Sequence, residues 1–388
     1  MRLQVDRDDA AQRLHLVSRL PGLRRVAEAA PGGLLRFLLV RIGALSADPG
    51  ANRLLSPGAL MFDEIELQQF WYGGHPVPWV LRGLSALYAP VASMRRSLYS
   101  AGLLPRIRLP VPVIVVGNIS VGGTGKTPLT MALIEALRAR GFSPGVISRG
   151  YGGSATGSLL VDANSDPRIA GDEACLIAQA TRAPVAVGRD RGSAGTMLLE
   201  AARCDVLIAD DGLQHYKLCR DVEICVIDGE RRFGNGLLLP AGPLREPASR
   251  AGVFAFRVCN GGVALAGEVA MALHVDGAVA LGGPPQQRKL ADWLGQRVHA
   301  VAGIGNPARF FAGLRAAGLD VIEHAFADHF AYAPANLDFG DDLPVLMTEK
   351  DAVKCVGFAD ARYWRVPVRA ELPDDFFDAV ATRVRQAS

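Results

Sequence analysis

Between Val111 and Ile227 short apolar runs alternate with stretches of helical spacing. Val111, Val113, Ile114, Val115 and Val116 form the first run, and Gly145–Ser148, Pro184–Val187, Val206–Ala209 and Glu223–Ile227 repeat it. Between them, Pro128–Arg140 places Leu129, Ala132, Leu133, Ala136 and Leu137 on one face, and Ala170–Thr181 and Ala194–Ala202 also read as helices. Strands without a polar face, separated by helices, predict a parallel sheet covered on both sides. Ligands then gather at the carboxyl ends of the strands. Around Cys259–Gly267 the texture changes to glycine and small apolar residues, as a linker would. A second α/β stretch starts near His299, with Leu346 in its last strand.

Upstream the pattern is looser. Residues 1–66 are rich in alanine, leucine and arginine, broken at Pro21, Pro31-Gly32-Gly33 and Pro49-Gly50, with a helical fragment at Leu34–Leu45. Met61 opens a more ordinary N-terminus, so an added extension and an early start codon both fit. Val77–Met94 is apolar but interrupted by Arg82 and Pro90, and a charge inside it argues against spanning a bilayer. Trp71, Tyr72, Trp79, Tyr88 and Tyr99 interleave with Arg95, Arg96, Arg106 and Arg108 around it. That mixture fits a helix lying in a membrane interface, and equally a core helix with a solvated arginine face.

The first apolar run leads into Asn118–Thr127, a glycine-rich loop closing on Gly125-Lys126-Thr127, and a helix follows at once. Strand, glycine loop, Lys-Thr and helix make a phosphate-binding loop. Ser120, Val121, Gly122, Gly123, Thr124, Gly125, Lys126 and Thr127 are the nucleotide-binding candidates. Backbone N–H groups and the helix N-terminus favour an anion, Lys126 adds a point charge, and Thr127 can put its hydroxyl on Mg²⁺. Ser120 stands where the strict pattern has glycine.

Other candidates lie on the same expected rim. Val206–His215 reads VLIADDGLQH, a strand ending in Asp210 and Asp211. Adjacent carboxylates repel unless a cation is near, and an acid at a strand end is how such proteins hold Mg²⁺; an Asp-Asp-Gly turn is the plain alternative. Asp172 and Glu173 open a helix, where acids favour the dipole, and where a carboxylate can equally take a proton from an attacking hydroxyl. Arg149 and Tyr151 follow the second strand, and Arg189 and Arg191 follow the strand ending at Val187. Phe233–Pro247 carries Arg245 and Glu246, a further acid for the metal. Asp328-His329 lies far downstream; an Asp–His neighbour pair can tune a proton acceptor, but spacing does not bring it to the phosphate loop.

Composition narrows the partners. The 388 residues suit about two domains, and a net charge of +3 gives no global case for nucleic acid. Six cysteines without a C-x-x-C pair read as a reduced chain with neither a disulfide framework nor a zinc site. The first twenty residues carry acids and arginines and lack the apolar core of a secretory signal.

Taken in order, VVGNISVGGTGKTP, SRGYGG, AGDE, DDGLQH, VIDGERRFGNGLLLPAGPLREP, NGG, ADHF and MTEKDAVKC resemble the tetraacyldisaccharide 4'-kinase family from Leu67 to the C-terminus. The resemblance implies an α/β fold: a P-loop NTPase-type parallel sheet core, a smaller C-terminal α/β domain and an N-terminal membrane-facing helix. Its bounds would be an extension at 1–66, helix and kinase core at 67–258, and linker plus second domain at 259–388. It implies ATP as substrate with Mg²⁺, and transfer of the γ-phosphate to the 4' hydroxyl of tetraacyldisaccharide 1-phosphate, giving lipid IVA in lipid A biosynthesis. By the same resemblance Asp172 is the base and His329 its tuning partner. Lys126 and Arg245 serve the transferred group, and Thr127, Asp210, Asp211 and Glu246 surround the metal. Arg149, Tyr151, Arg191 and Gln214 are looser nucleotide or substrate contacts. The implied partners are a lipid substrate and the inner-membrane interface, at its cytoplasmic face and peripheral, with no nucleic acid and no protein partner. A membrane-associated P-loop ATPase switch of the MinD and ParA kind shares the GGTGKT loop. Its signature lysine precedes the two glycines, where this chain has Val121.

Overall fold

The computed structural model describes residues 64–284 and 286–388; nearly all of the expected 1–66 extension, with Leu34–Leu45 and Met61, lies outside them. The strands are β1 (Val113–Gly117), β2 (Pro144–Ser148), β3 (Leu159–Val161), β4 (Val185–Val187), β5 (Val206–Asp210), β6 (Val222–Asp228), β7 (Phe256–Asn260) and β8 (Val269–His274). They continue with β9 (Gly277–Ala280), β10 (Gln287–Lys289), β11 (Arg297–Ala302), β12 (Asp320–Ala325), β13 (Val345–Thr348), β14 (Tyr363–Val366) and β15 (Arg369–Glu371). Helices are α1 (Glu64–Tyr72), α2 (Trp79–Ser100), α3 (Lys126–Ala139), α4 (Asp172–Thr181), α5 (Arg191–Ala201), α6 (Pro307–Ala316), α7 (Glu349–Cys355) and α8 (Asp374–Ala387).

The large sheet runs β15-β8-β7-β6-β1-β5-β2-β4-β3. It is parallel from β8 to β4 and closed at each edge by an antiparallel strand. The uniform apolarity of the central strands has a direct cause. In β1, Ile114 and Val116 enter one core while Val113 and Val115 enter the other, and β5 divides Val206 and Ile208 from Leu207 and Ala209 in the same way. Leu129, Leu133, Ile134 and Leu137 of α3 seal the first face, and Ala194 and Leu198 of α5 cover the second. Register sets Val116 opposite Asp210, so the phosphate loop and the paired acids leave the sheet at one edge.

The smaller sheet, β10-β9-β14-β13-β11-β12, forms a second lobe. The expected boundary at residue 259 falls inside β7, and Cys259–Gly267 is a strand end and a loop leading into β8. Strand pairing explains the difference: Cys259 and Asn260 sit in register with Ile227 and Asp228, so a segment that looks linker-like extends the first sheet. The chain then returns. β15 pairs with β8, and Phe376, Phe377, Val380, Ala381 and Val384 of α8 lie in the core beneath α3. The last residues therefore belong to the large lobe.

Helix α2, which contains most of Val77–Met94, buries one face against the large lobe and leaves the other exposed. Leu81, Ser85, Tyr88, Arg95 and Tyr99 are buried, whereas Trp79 is 83% and Leu87 69% exposed, with Met94 beside them on the outer face. Three side chains pin the inner face to backbone of the 212–221 and 237–247 loops: Ser85 Oγ to Leu238 O (2.9 Å), Tyr88 Oη to Arg245 O (2.9 Å) and Arg95 Nη1 to Gln214 O (3.0 Å). No helix among the described residues is long and apolar enough to cross a membrane.

Because α8 completes the large core, Phe376→Ala should lower the stability of that lobe by about 3–5 kcal/mol. Urea unfolding followed by circular dichroism checks it; an unchanged midpoint would detach α8 from the fold.

Candidate active site

The phosphate loop is shaped by close backbone approaches. Gly125, at φ +93°, caps α3, and a Cβ there would collide with the Asn260 side chain, whose Nδ2 donates to Thr124 O at 3.0 Å. Asn118 Nδ2 donates to Thr124 Oγ1 at 3.1 Å, and Val121 N donates to Pro243 O at 2.8 Å. Ser120 bridges to Leu244, so the 237–247 loop flanks the phosphate loop as a second wall. Gly122 has a φ of +109°, and Gly123 lies against Gly305 of the second lobe. Lys126 and Thr127 open the helix.

Beside them the acids divide. Asp211 faces Lys126 Nζ at 3.7 Å and receives Arg245 Nη1 at 3.1 Å. Burial opposes its charge, but Arg245, Lys126 and Arg191 outweigh it and hold the carboxyl well below the usual range. Asp210 is fully buried; Thr130 Oγ1 donates to its Oδ1 at 2.9 Å, and Oδ2 has no hydrogen-bond partner. Burial, with Glu173 adding to it, pushes this carboxyl far above its ordinary value. A buried carboxylate oxygen left open is what a cation would satisfy. No three His, Cys, Asp or Glu side chains among the described residues form a ready-made cage. Mg²⁺ takes one or two carboxylates and fills its remaining positions with phosphate and water.

Glu246 is placed differently from the expectation. Its Oε1 accepts from Gln214 Nε2 at 2.9 Å, and Arg250 and Arg96 approach its other oxygen at 3.5 and 3.9 Å. Its link to Asp211 runs through Gln214 Oε1, which accepts from Arg245 Nη1 at 3.2 Å. Arg191 is buried and donates to the carbonyls of Asp211 (2.8 Å) and Asp210 (3.4 Å), so it clamps the acid turn from behind. Arg149 sits amid the charges of Arg189, Asp211 and Arg245.

The downstream histidine does arrive. His329 Nδ1 lies 2.9 and 3.0 Å from the two oxygens of Asp172, at the start of α4, and the Tyr151 ring rests on its imidazole at 4.6 Å. Glycines at 150, 153 and 171 let the SRGYGG loop close on the AGDE turn: a Cβ on Gly171 would strike Tyr151 O. Asp211 and His329 are two of four non-glycine residues with positive φ among those described. Such backbones are held by their surroundings and cluster at functional sites.

Two lysines of the MTEKDAVKC segment, given no role by the sequence, complete this corner. Lys350 Nζ, at the start of α7, is 2.9 Å from Asp328, 3.2 Å from Glu173 and 3.3 Å from His329 Nε2. Lys354 Nζ approaches Asp172 at 3.8 Å and is anchored on buried Asp351 at 2.8 Å. An ammonium only donates, so Nε2 accepts and the Nδ1 proton goes to Asp172. Burial works against the Asp172 charge, yet His329, Lys350 and Lys354 together keep it below the usual carboxylate range. The missed signal was spacing: Lys350 and Lys354 are one helical turn apart and share a face.

A glycine loop at a helix N-terminus, a lysine among buried acids and a carboxylate–histidine pair on one rim define a P-loop phosphotransferase. The model of the tetraacyldisaccharide-1-P 4'-kinase family matches residues 77–385. The tetraacyldisaccharide 4'-kinase of Stenotrophomonas maltophilia is 56% identical over 325 residues, 81% of this chain and 95% of that one. Its counterpart in Xanthomonas euvesicatoria is 51% identical over 330 residues, 82% and 95% of the two chains. The crystal structure of Aquifex aeolicus LpxK in complex with ATP superposes with a TM-score of 0.65 at 29% identity, covering 78% of this chain and 97% of that one. The chain belongs to the tetraacyldisaccharide 4'-kinase family, which leaves the ATPase-switch reading without support.

Lys350→Met should lift the acid limb of the kcat–pH profile, because it removes a cation that depresses Asp172, and lower kcat about tenfold or more. Lys350→Arg should restore part of both. An unmoved acid limb in a folded variant would reduce Lys350 to a tether between lobes.

Proposed function

We propose that this 4'-kinase transfers the γ-phosphate of ATP to its lipid sugar with the groups just described in distinct roles. Residues 120–127 cradle the phosphates, and Lys126 and Arg245 meet the charge that spreads over the transferred group. Thr127, Asp210 and Asp211 would hold Mg²⁺, which when bound neutralises phosphate charge. Glu246 acts one step back, setting Gln214 and through it Arg245. Asp172 accepts the 4' hydroxyl proton. A carboxylate this acidic is a weak base, which is adequate where the transition state is loose and positioning matters more than proton affinity. His329 orients it, and Tyr151, Arg149 and Arg191 shape the surrounding wall.

The observation that carries this reading is Glu173. It receives Lys350 at 3.2 Å, on the Asp172–His329 side, and its charge is felt by Asp210, on the phosphate-loop side. Base and metal acids therefore share one electrostatic neighbourhood.

The acceptor carries acyl chains, each buried CH₂ being worth about 0.8 kcal/mol. We infer that the outer face of α2 rests in the cytoplasmic leaflet of the inner membrane, so that the sugar reaches the site without leaving the bilayer. The exposed Trp79, Leu87 and Met94 support this.

Radiolabel transfer from γ-labelled ATP to purified tetraacyldisaccharide 1-phosphate tests the assignment. Lys126→Ala and Asp172→Asn should each lower kcat by about 10²-fold or more, Asp172→Asn with nucleotide affinity intact; wild-type turnover in folded Asp172→Asn removes it as the base. Trp79→Asp with Leu87→Asp should abolish co-sedimentation with vesicles while leaving ATP binding intact, and unchanged sedimentation would refute docking through α2.

A further inference from the structure

Behind the Glu246 carboxylate, on the side away from Asp211, the structure holds a cavity of about 570 Å³ for which the catalytic scheme has no use. Its walls come from the last turn of α2, the loop after it, the segment following Asp210-Asp211, and the turn after Glu246. Four arginines line it: Arg96, Arg106, Arg220 and Arg250.

Counting charge shows what is missing. Among the described residues, two carboxylates face the four guanidinium groups, and each is shared. Glu223 takes Arg220 at 3.1 Å and Arg250 at 3.8 Å, while Glu246 takes Arg250 at 3.5 Å and Arg96 at 3.9 Å. Arg106 has no ion pair among the described residues, and its charge is felt by Arg220. The site therefore carries an excess of two positive charges, in a concave wall where like charges repel unless an anion intervenes. The hydroxyls of Ser100 and Ser249, both in the lining, bring donors to the same space. Tyr216 is also in the wall. Guanidinium forks with hydroxyl donors match the acceptor-only oxygens of a phosphate.

We propose that this cavity binds a phosphate group carried by a small molecule or a lipid headgroup, separate from the phosphates held by residues 120–127. Its volume lies in the range of small-ligand pockets, about 300–1,000 Å³, so it has room for more than the phosphate. Its entrance supplies two sources. Val253 in the wall is 63% exposed and Leu103 on the neighbouring loop 36% exposed, so an acyl-chained headgroup meets an apolar rim, while a soluble phosphomonoester meets open water. An anion here competes with Glu246 for Arg96 and Arg250. The pocket thus lies one carboxylate away from the Gln214–Arg245–Asp211 chain.

The test is a binding measurement on the full chain and needs no turnover, so it fails independently of the kinase assignment. Inorganic phosphate is titrated calorimetrically at constant ionic strength against chloride, with the phosphate loop saturated by Mg-ADP. In parallel the chain is sedimented with phosphatidylcholine vesicles with and without phosphatidic acid. Wild type should bind phosphate at one further site or sediment preferentially with phosphatidic acid, the responding arm naming the source. Arg106→Ser, at an exposed position that leaves the core untouched, should weaken the response about tenfold, and Ser249→Glu should do the same by placing a negative charge in the wall. Arg108→Ser, two residues along and facing Asp221, should leave it unchanged. No phosphate-specific response in either arm, equal binding in the Arg106 and Ser249 variants, or an equal loss in Arg108→Ser would each overturn the proposal.

Discussion

Two adjacent carboxyl groups at the end of β5 set the terms for the rest of the molecule. Asp211 is compensated by Lys126 and Arg245, while Asp210 is sealed from water with one oxygen unanswered. Holding such a pair costs stability unless neighbours are placed with care, and most of the surrounding architecture is that placement. Arg191 fixes the turn through its carbonyls, Thr130 of α3 takes one oxygen, and Gln214 keeps Arg245 in line. Helix α2 fastens the backbone of Gln214 and Arg245 in turn. The apolar helix and the acid pair are therefore parts of one mechanical chain.

The second lobe contributes chemistry as well as cover. His329, Lys350 and Lys354 all come from it, and all act on Asp172 or its neighbour in the first lobe. Arg309 reaches back to Asp228 and Glu230 at 3.0 and 3.1 Å, and Arg231 answers by donating to Gly305 O at 3.1 Å. The Asp172–His329 corner exists only where the lobes meet, so lobe position and the geometry of that pair are the same variable.

Much of this was legible in the chain. Because β1 and β5 are apolar on both faces, a buried parallel sheet followed from the residues alone, and the phosphate loop with Asp210 fell at its carboxyl edge as the topology demands. The boundary at residue 259 was not legible, since strand pairing with β6, a long-range contact, turns a glycine-flanked segment into β7. Nor could spacing show that His329 meets Asp172, 157 positions away. Lys350 and Lys354 escaped because lysines on a short helix ordinarily face solvent, and only a neighbouring lobe makes them counter-ions. Glu246 was grouped with the metal by its place beside Arg245, whereas the chain bends at these two residues and sends their side chains to different partners. Its carboxylate turns toward Arg96 and Arg250.

The meeting of Gly123 with Gly305 has a consequence for how the enzyme fails. A Cβ on Gly305 would come within 2.6 Å of the Gly123 nitrogen, whereas one on Gly123 would meet Gly305 at an ordinary 3.7 Å, so Gly305 is the position that must stay bare. The cradle for the triphosphate is in this sense moulded from both lobes. Damage at a turn remote in the chain, with no contact to the acceptor sugar, would therefore present at the bench as a nucleotide-handling defect.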